Sequence, residues 1–69
     1  MTRLGEFISR EDIAPARLAR RAGISRQHLY RLRYGKQEPT RPMMVRLARA
    51  SSGLLKRDVS VTELFEIEP

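Results

Sequence analysis

The sequence predicts an all-α fold, a compact domain of five helices. Three observations predict it. An apolar spacing of i, i+3, i+4 recurs at Leu4-Phe7-Ile8, at Met44-Leu47-Ala48 and at Val61-Leu64-Phe65, and the same stripe in another order falls at Leu18-Ala19-Ala22. That spacing marks one buried face of a helix. No stretch shows the sustained period-two alternation of a half-buried strand. Between the apolar stripes, Thr, Ser, Pro and Gly fall where helices start and stop.

The elements follow in order. Thr2 caps a first helix that runs to about Arg10. Pro15 suits the first turn of a second helix, where its missing N–H is no loss, and Gly23 ends that helix. Ser25 caps a third helix, closed by Gly35. Thr40 caps a fourth, with Pro42 in its first turn and an expected end near Ser51 to Gly53. From Gly53 to Val59, Leu54 and Leu55 return to the core while Lys56, Arg57 and Asp58 form a turn. Ser60 and Glu63 make a capping box for a short fifth helix. The 69 residues are expected to form a single domain, 1–69. A chain this short buries only about 60% of its unfolded surface, so its stability is expected to be marginal.

Composition narrows the chemistry. With no cysteine, disulfides and the usual zinc frameworks are excluded, and the lone His28 has no carboxylates near it in sequence. No metal, no cofactor and no small-molecule ligand is expected. The first residues, MTRLGEFISRED, lack the apolar run of a signal peptide, and no stretch approaches a membrane span. A soluble protein of the cytoplasm is expected. The net charge is +6, and its distribution matters more than its sum. Between Arg17 and Arg49 stand ten basic residues and one acid, Glu38, while the other seven acids lie toward the two ends. A basic centre between acidic ends points to a polyanion, nucleic acid above all. Basic charge also occurs in small proteins with no such partner, so the third helix has to carry the argument.

On that helix, at about 100° per residue, Leu29 and Leu32 fall on one side with Ser25 between them. The opposite side holds Arg26, Gln27, Tyr30, Arg31 and Tyr34, with His28 and Arg33 on the flanks. Arg pairs with O6 and N7 of guanine and Gln with adenine, while Tyr touches a thymine methyl or a phosphate. An ordinary solvated face mixes both charge signs, but this one has no acid from Arg26 to Gln37. In the helix before it, Ala19 and Ala22 allow close approach and Gly23 permits the turn. Two short helices joined in this way make a helix-turn-helix, here at about 15–35, whose second helix enters the major groove.

At this point the run LARRAGISRQHLYRLRYGKQEPT, Leu18 to Thr40, resembles the Cro and lambda-repressor type of helix-turn-helix, the XRE family. The matching elements are Leu18-Ala19, Gly23-Ile24-Ser25, Leu29, Leu32, Gly35-Lys36 and Pro39-Thr40, and the likeness extends over about Ala14 to Phe65. It implies a lambda-repressor-like domain that binds double-stranded DNA, with Arg26, Gln27 and Arg31 at base edges and Tyr30 as a less regular fourth. It also implies Ser25 as a cap close to phosphate, and Lys36 and Arg41 as clasps on the backbone, helped by the amides around Tyr34 to Lys36. His28 reads as solvated or phosphate-adjacent, and Tyr34 as a phosphate contact, a base contact or packing.

Three departures from the family pattern stand out. Pro15 replaces a frequent phosphate-binding Gln, which leaves Arg17 to serve. Arg33 replaces a frequent Glu and adds a phosphate contact. About six extra residues near Ser52 to Arg57 fall where relatives often build a dimer interface, so the mode of association stays open. The role implied is that of a transcriptional regulator of a bacterium or phage, a repressor before an activator, and a homodimer reading two half-sites is a candidate. Two alternatives stay open. One is an antitoxin-like or other protein-interaction module on the same fold. The other is an excisionase or MerR-like protein, since SRQHLYRLRYGK is similar to that family too; it requires a strand-rich wing, whereas MMVRLARA reads as helix. No catalytic residues are expected.

Overall fold

A computed structural model describes residues 2–66. These form α1 (Arg3–Arg10), α2 (Pro15–Ala22), α3 (Arg26–Arg33), α4 (Arg41–Leu55) and α5 (Val61–Leu64), with no strand among the described residues. The described residues are therefore all-helical, and among them no strand-rich wing of the excisionase or MerR-like kind follows the motif.

The helices start where side chains can satisfy the first free amides. The Gly5 amide donates to Thr2 Oγ1 at 3.0 Å, the His28 amide to Ser25 Oγ at 3.0 Å and the Met43 amide to Thr40 Oγ1 at 3.3 Å. Each such cap stabilises its helix by about 1 kcal/mol. Pro15 and Pro42 sit in first turns, as the spacing predicts. At α5 the Ser60 amide donates to the Glu63 carboxylate at 3.0 Å, one half of the expected capping box.

The ends of α1, α2 and α3 share one geometry. Gly23 has φ 74°, and the Ile24 amide reaches back to the Ala19 carbonyl at 3.0 Å. Gly35 has φ 71°, and the Lys36 amide reaches the Arg31 carbonyl at 2.8 Å. α1 closes in the same way through Asp12, φ 54°, with Ile13 bonded to Ile8 at 3.0 Å. These are Schellman closures, in which a left-handed residue lets the chain turn back on its own last carbonyls.

The fourth helix corrects one expectation. It does not stop at Ser51 to Gly53 but runs on to Leu55, and Lys56, φ 56°, ends it. A helical glycine costs about 1 kcal/mol relative to alanine. Carrying the helix through Gly53 sets Leu54 and Leu55 against the core and places the Ser52 hydroxyl between two backbone groups. That hydroxyl donates to the Ala48 carbonyl and accepts from the Val59 amide, each at 2.9 Å, and so ties the α4–α5 connection down.

Leu4, Phe7, Leu18, Leu29, Leu47 and Leu64 are the largest wholly buried apolar side chains, and every helix contributes at least one. α2 packs against α3 and α4, and α1 against α3 and α5. Ala19 and Ala22 are buried, as a close helix pair requires. Ser51, within the stretch expected to end α4, is wholly buried instead, and its hydroxyl has no partner among the described residues. No helix among the described residues is long and apolar enough to cross a membrane.

Candidate nucleic-acid interface

α3 is built to turn one side outward. Leu29 and Leu32 are 1% and 3% exposed and anchor it, while Ser25 holds its first turn and Gly35 its last. Arg26, Gln27, Tyr30, Arg31 and Tyr34 are exposed together, as the helical spacing predicts. The two tyrosine rings stack at 4.7 Å between centroids, tilted by 49°. The Lys36 ammonium lies over the Tyr30 ring at 5.6 Å and the Arg33 guanidinium over the Tyr34 ring at 5.3 Å. The phenols are thus held in place by each other and by two cations, so Tyr34 packs against its neighbour while keeping an open edge.

Other expected site residues take distinct places. Ser25 is exposed rather than tucked between the two leucines, and its hydroxyl is used as the cap. His28 is half-buried on the flank. Arg33 is half-buried too, and its Nε is enclosed without a partner among the described residues, which leaves the outer guanidinium nitrogens as its working end. The amides around Tyr34 to Lys36 were expected to face a phosphate, but they are spent on closing α3: Tyr34 bonds to Tyr30, Gly35 to Leu32 and Lys36 to Arg31.

The cations on the other elements also separate. Arg17 lies on the α4 side of α2, where it lines a cleft with Glu11, Leu54 and Leu55. Arg41 borders a shallow apolar patch with Met44, Val45 and Val61. Arg20 was not singled out from the sequence, yet it shares a groove with Ala16, Ile24 and Arg26 at the start of α3. The signal was present, since Arg20 stands in the last turn of α2, where it is exposed. Gln37 was also missed, because its role depends on the path of a loop: its side-chain oxygen accepts from Arg31 Nε at 3.1 Å and holds that guanidinium.

Charge pairing divides the molecule. Among the described residues the ion pairs are Arg3–Glu66 at 3.4 Å, Arg10–Glu11 at 3.5 Å, Arg57–Glu11 at 3.4 Å and Arg57–Glu63 at 3.2 Å. The acids thus neutralise Arg3, Arg10 and Arg57, while the arginines from Arg17 to Arg49 take no part. Glu63 is held below the ordinary carboxylate range by the Ser60 amide first and Arg57 second. No group of histidines and carboxylates that could hold a metal occurs among the described residues.

A capped helix with an outward face of guanidinium, amide and phenol groups, set on a helix of equal length by a left-handed glycine, defines the class: a helix-turn-helix DNA-binding domain. The family model described as Helix-turn-helix matches residues 10–50, more than half of the chain. The chain belongs to this family, in its XRE type, and the family's domains bind double-stranded DNA as regulatory modules rather than as enzymes. Neither a curated protein nor a solved structure gives a significant match.

Proposed function

We propose that this protein is a prokaryotic or phage transcriptional regulator, a repressor, which acts by occupying its operator with α3 in the major groove. Arg26, Gln27, Tyr30 and Arg31 select bases, and Ser25, His28, Arg33, Tyr34 and Lys36 set the register on the phosphates. The observation that carries this reading is the exposed face of α3, which has no acid and lies within the basic segment that no ion pair found among the described residues neutralises. Arg20, beside Arg26, joins the phosphate contacts at the start of the helix. Arg17 and Arg41 stand further out and contribute as peripheral clasps. The whole of 1–69 works as one domain, in the cytoplasm and on the nucleoid. One such module grips weakly, so a symmetric homodimer reading half-sites about 34 Å apart completes the regulator.

Selection from random duplexes, followed by binding titrations over a salt series, tests the reading. Arg31→Ala is expected to relax preference at one base position, with a loss of about 1–3 kcal/mol of discrimination. Lys36→Ala is expected to weaken all sequences alike and to flatten the salt slope by about one unit. Binding that is independent of salt would sink the proposal.

A further inference from the structure

α2 carries arginines on both flanks. Arg20 turns toward α3, where it shares a groove with Arg26. Arg21, about 100° further round the helix, turns toward α4. There, with Arg46 and Arg49, it lines a cleft of about 360 Å³ whose remaining walls are Ala22, Gly23 and Ala50. None of the three arginines belongs to an ion pair found among the described residues.

Two of these guanidinium groups lie against glycine backbone. A Cβ on Gly53 would stand 2.5 Å from Arg21 Nε, and a Cβ on Gly23 would stand 3.2 Å from an Arg46 guanidinium nitrogen. Both groups therefore lie close against bare helix and turn backbone. Three unneutralised cations around one concave space repel one another, and a bound anion relieves that repulsion. The choice of anion follows from the walls. They offer two alanines and a glycine, with no aromatic or long aliphatic group to anchor the side chains of an acidic peptide. Planar guanidinium forks match the paired oxygens of a phosphate.

We propose that Arg21, Arg46 and Arg49 form a second phosphate site, which holds phosphodiester backbone outside the segment read by α3. α2 stands between the two sites, packing against both α3 and α4. The backbone comes from the flanking stretch of the same duplex or from a second duplex. The proposal rests on the reading of α3 above only in deciding which segment counts as the first.

The test replaces the three arginines together by Gln, and in a second protein together by Lys, which keeps the charges. Random-sequence duplexes of about one and about three helical turns, ~10 bp each, are titrated over a salt series. Beads carrying one duplex are then challenged with a fluorescent second duplex. The wild type is expected either to bind the longer duplex with a salt slope steeper by about two to three units or to retain the second duplex. The Gln protein is expected to lose that excess and keep its grip on the short duplex, while the Lys protein keeps both. Should the Gln protein fail to fold in a circular-dichroism melt, Arg49→Gln alone is expected to remove about one unit of slope.

Equal behaviour of wild type and Gln protein in both assays would overturn the proposal. So would a Glu-rich peptide whose binding is lost in the Gln protein while duplex binding is unchanged, since that outcome assigns the cleft to an acidic protein partner. Arg31→Ala separates the two readings: if it changes nothing while the Gln protein loses the excess, the reading of α3 fails and the cleft stands.

Discussion

At the scale of single residues, the molecule is organised by which charges find partners. Arg57 bridges Glu11 and Glu63, and its own pKa is raised chiefly by its hydrogen bond to Glu63. The Ser60 amide and Arg57 lower the pKa of Glu63, so its ionised form favours the folded state. A carboxyl with a depressed folded pKa contributes fully above its unfolded value, about 4.3 for Glu, and that contribution is lost as pH falls through the folded value. Thermal melts from about pH 6 to about pH 3 should therefore show a midpoint that falls below the ordinary Glu range. Glu63→Gln should flatten the fall, and an unchanged profile would remove Glu63 from the account. The outward setting of Arg26 and Arg31 on α3 was legible in the sequence through helical spacing. What the spacing could not show is how they are held. Arg31 leans on Gln37 across a loop, and the half-buried Arg33 has its Nε shut away from solvent, both set by tertiary packing.

At the scale of elements, starts were legible and ends only partly so. Caps are local, because Thr2, Ser25 and Thr40 each reach an amide three residues on. Ends governed by glycine were equally plain at Gly23 and Gly35, but α1 and α4 close through Asp12 and Lys56, residues that do not announce a left-handed turn. Gly53, which does announce one, lies inside α4 because the packing of Leu54 and Leu55 outweighs the propensity of one residue. The difference is measurable. Lys56→Gly should stabilise the fold by up to about 1 kcal/mol, since a left-handed L-residue costs roughly 1–2 kcal/mol and glycine gives part of that back through its freer unfolded chain. Gly23→Ala should destabilise by about the same 1–2 kcal/mol and also crowd Arg46. Chemical denaturation of both variants checks the pair of signs.

At the scale of the whole molecule, a core supplied largely by single leucines from short helices must resist the repulsion of an unneutralised basic segment. The domain is tightly drawn in, with a radius of gyration of 10.6 Å, but a chain of this length has little stability in reserve. A polyanion that binds only the folded state should then act as a structural partner. At a hundredfold excess over Kd it adds about 2.7 kcal/mol, which for a domain of this size raises the melting temperature by on the order of 10 °C. Scanning calorimetry with random-sequence duplex should show that rise, and added salt should remove it. One small contact reaches across this whole assembly. The Thr2 hydroxyl accepts from the Gly5 amide and donates to the Arg33 carbonyl, so a single oxygen fastens the start of α1 to the end of α3. With Ser25 at its other end, the helix proposed to read DNA is clamped at both ends, and little conformational freedom is left to surrender on docking. Thr2→Val should therefore weaken binding through a less favourable entropy in titration calorimetry while the salt slope stays the same: the hand that reads is unchanged, but it trembles.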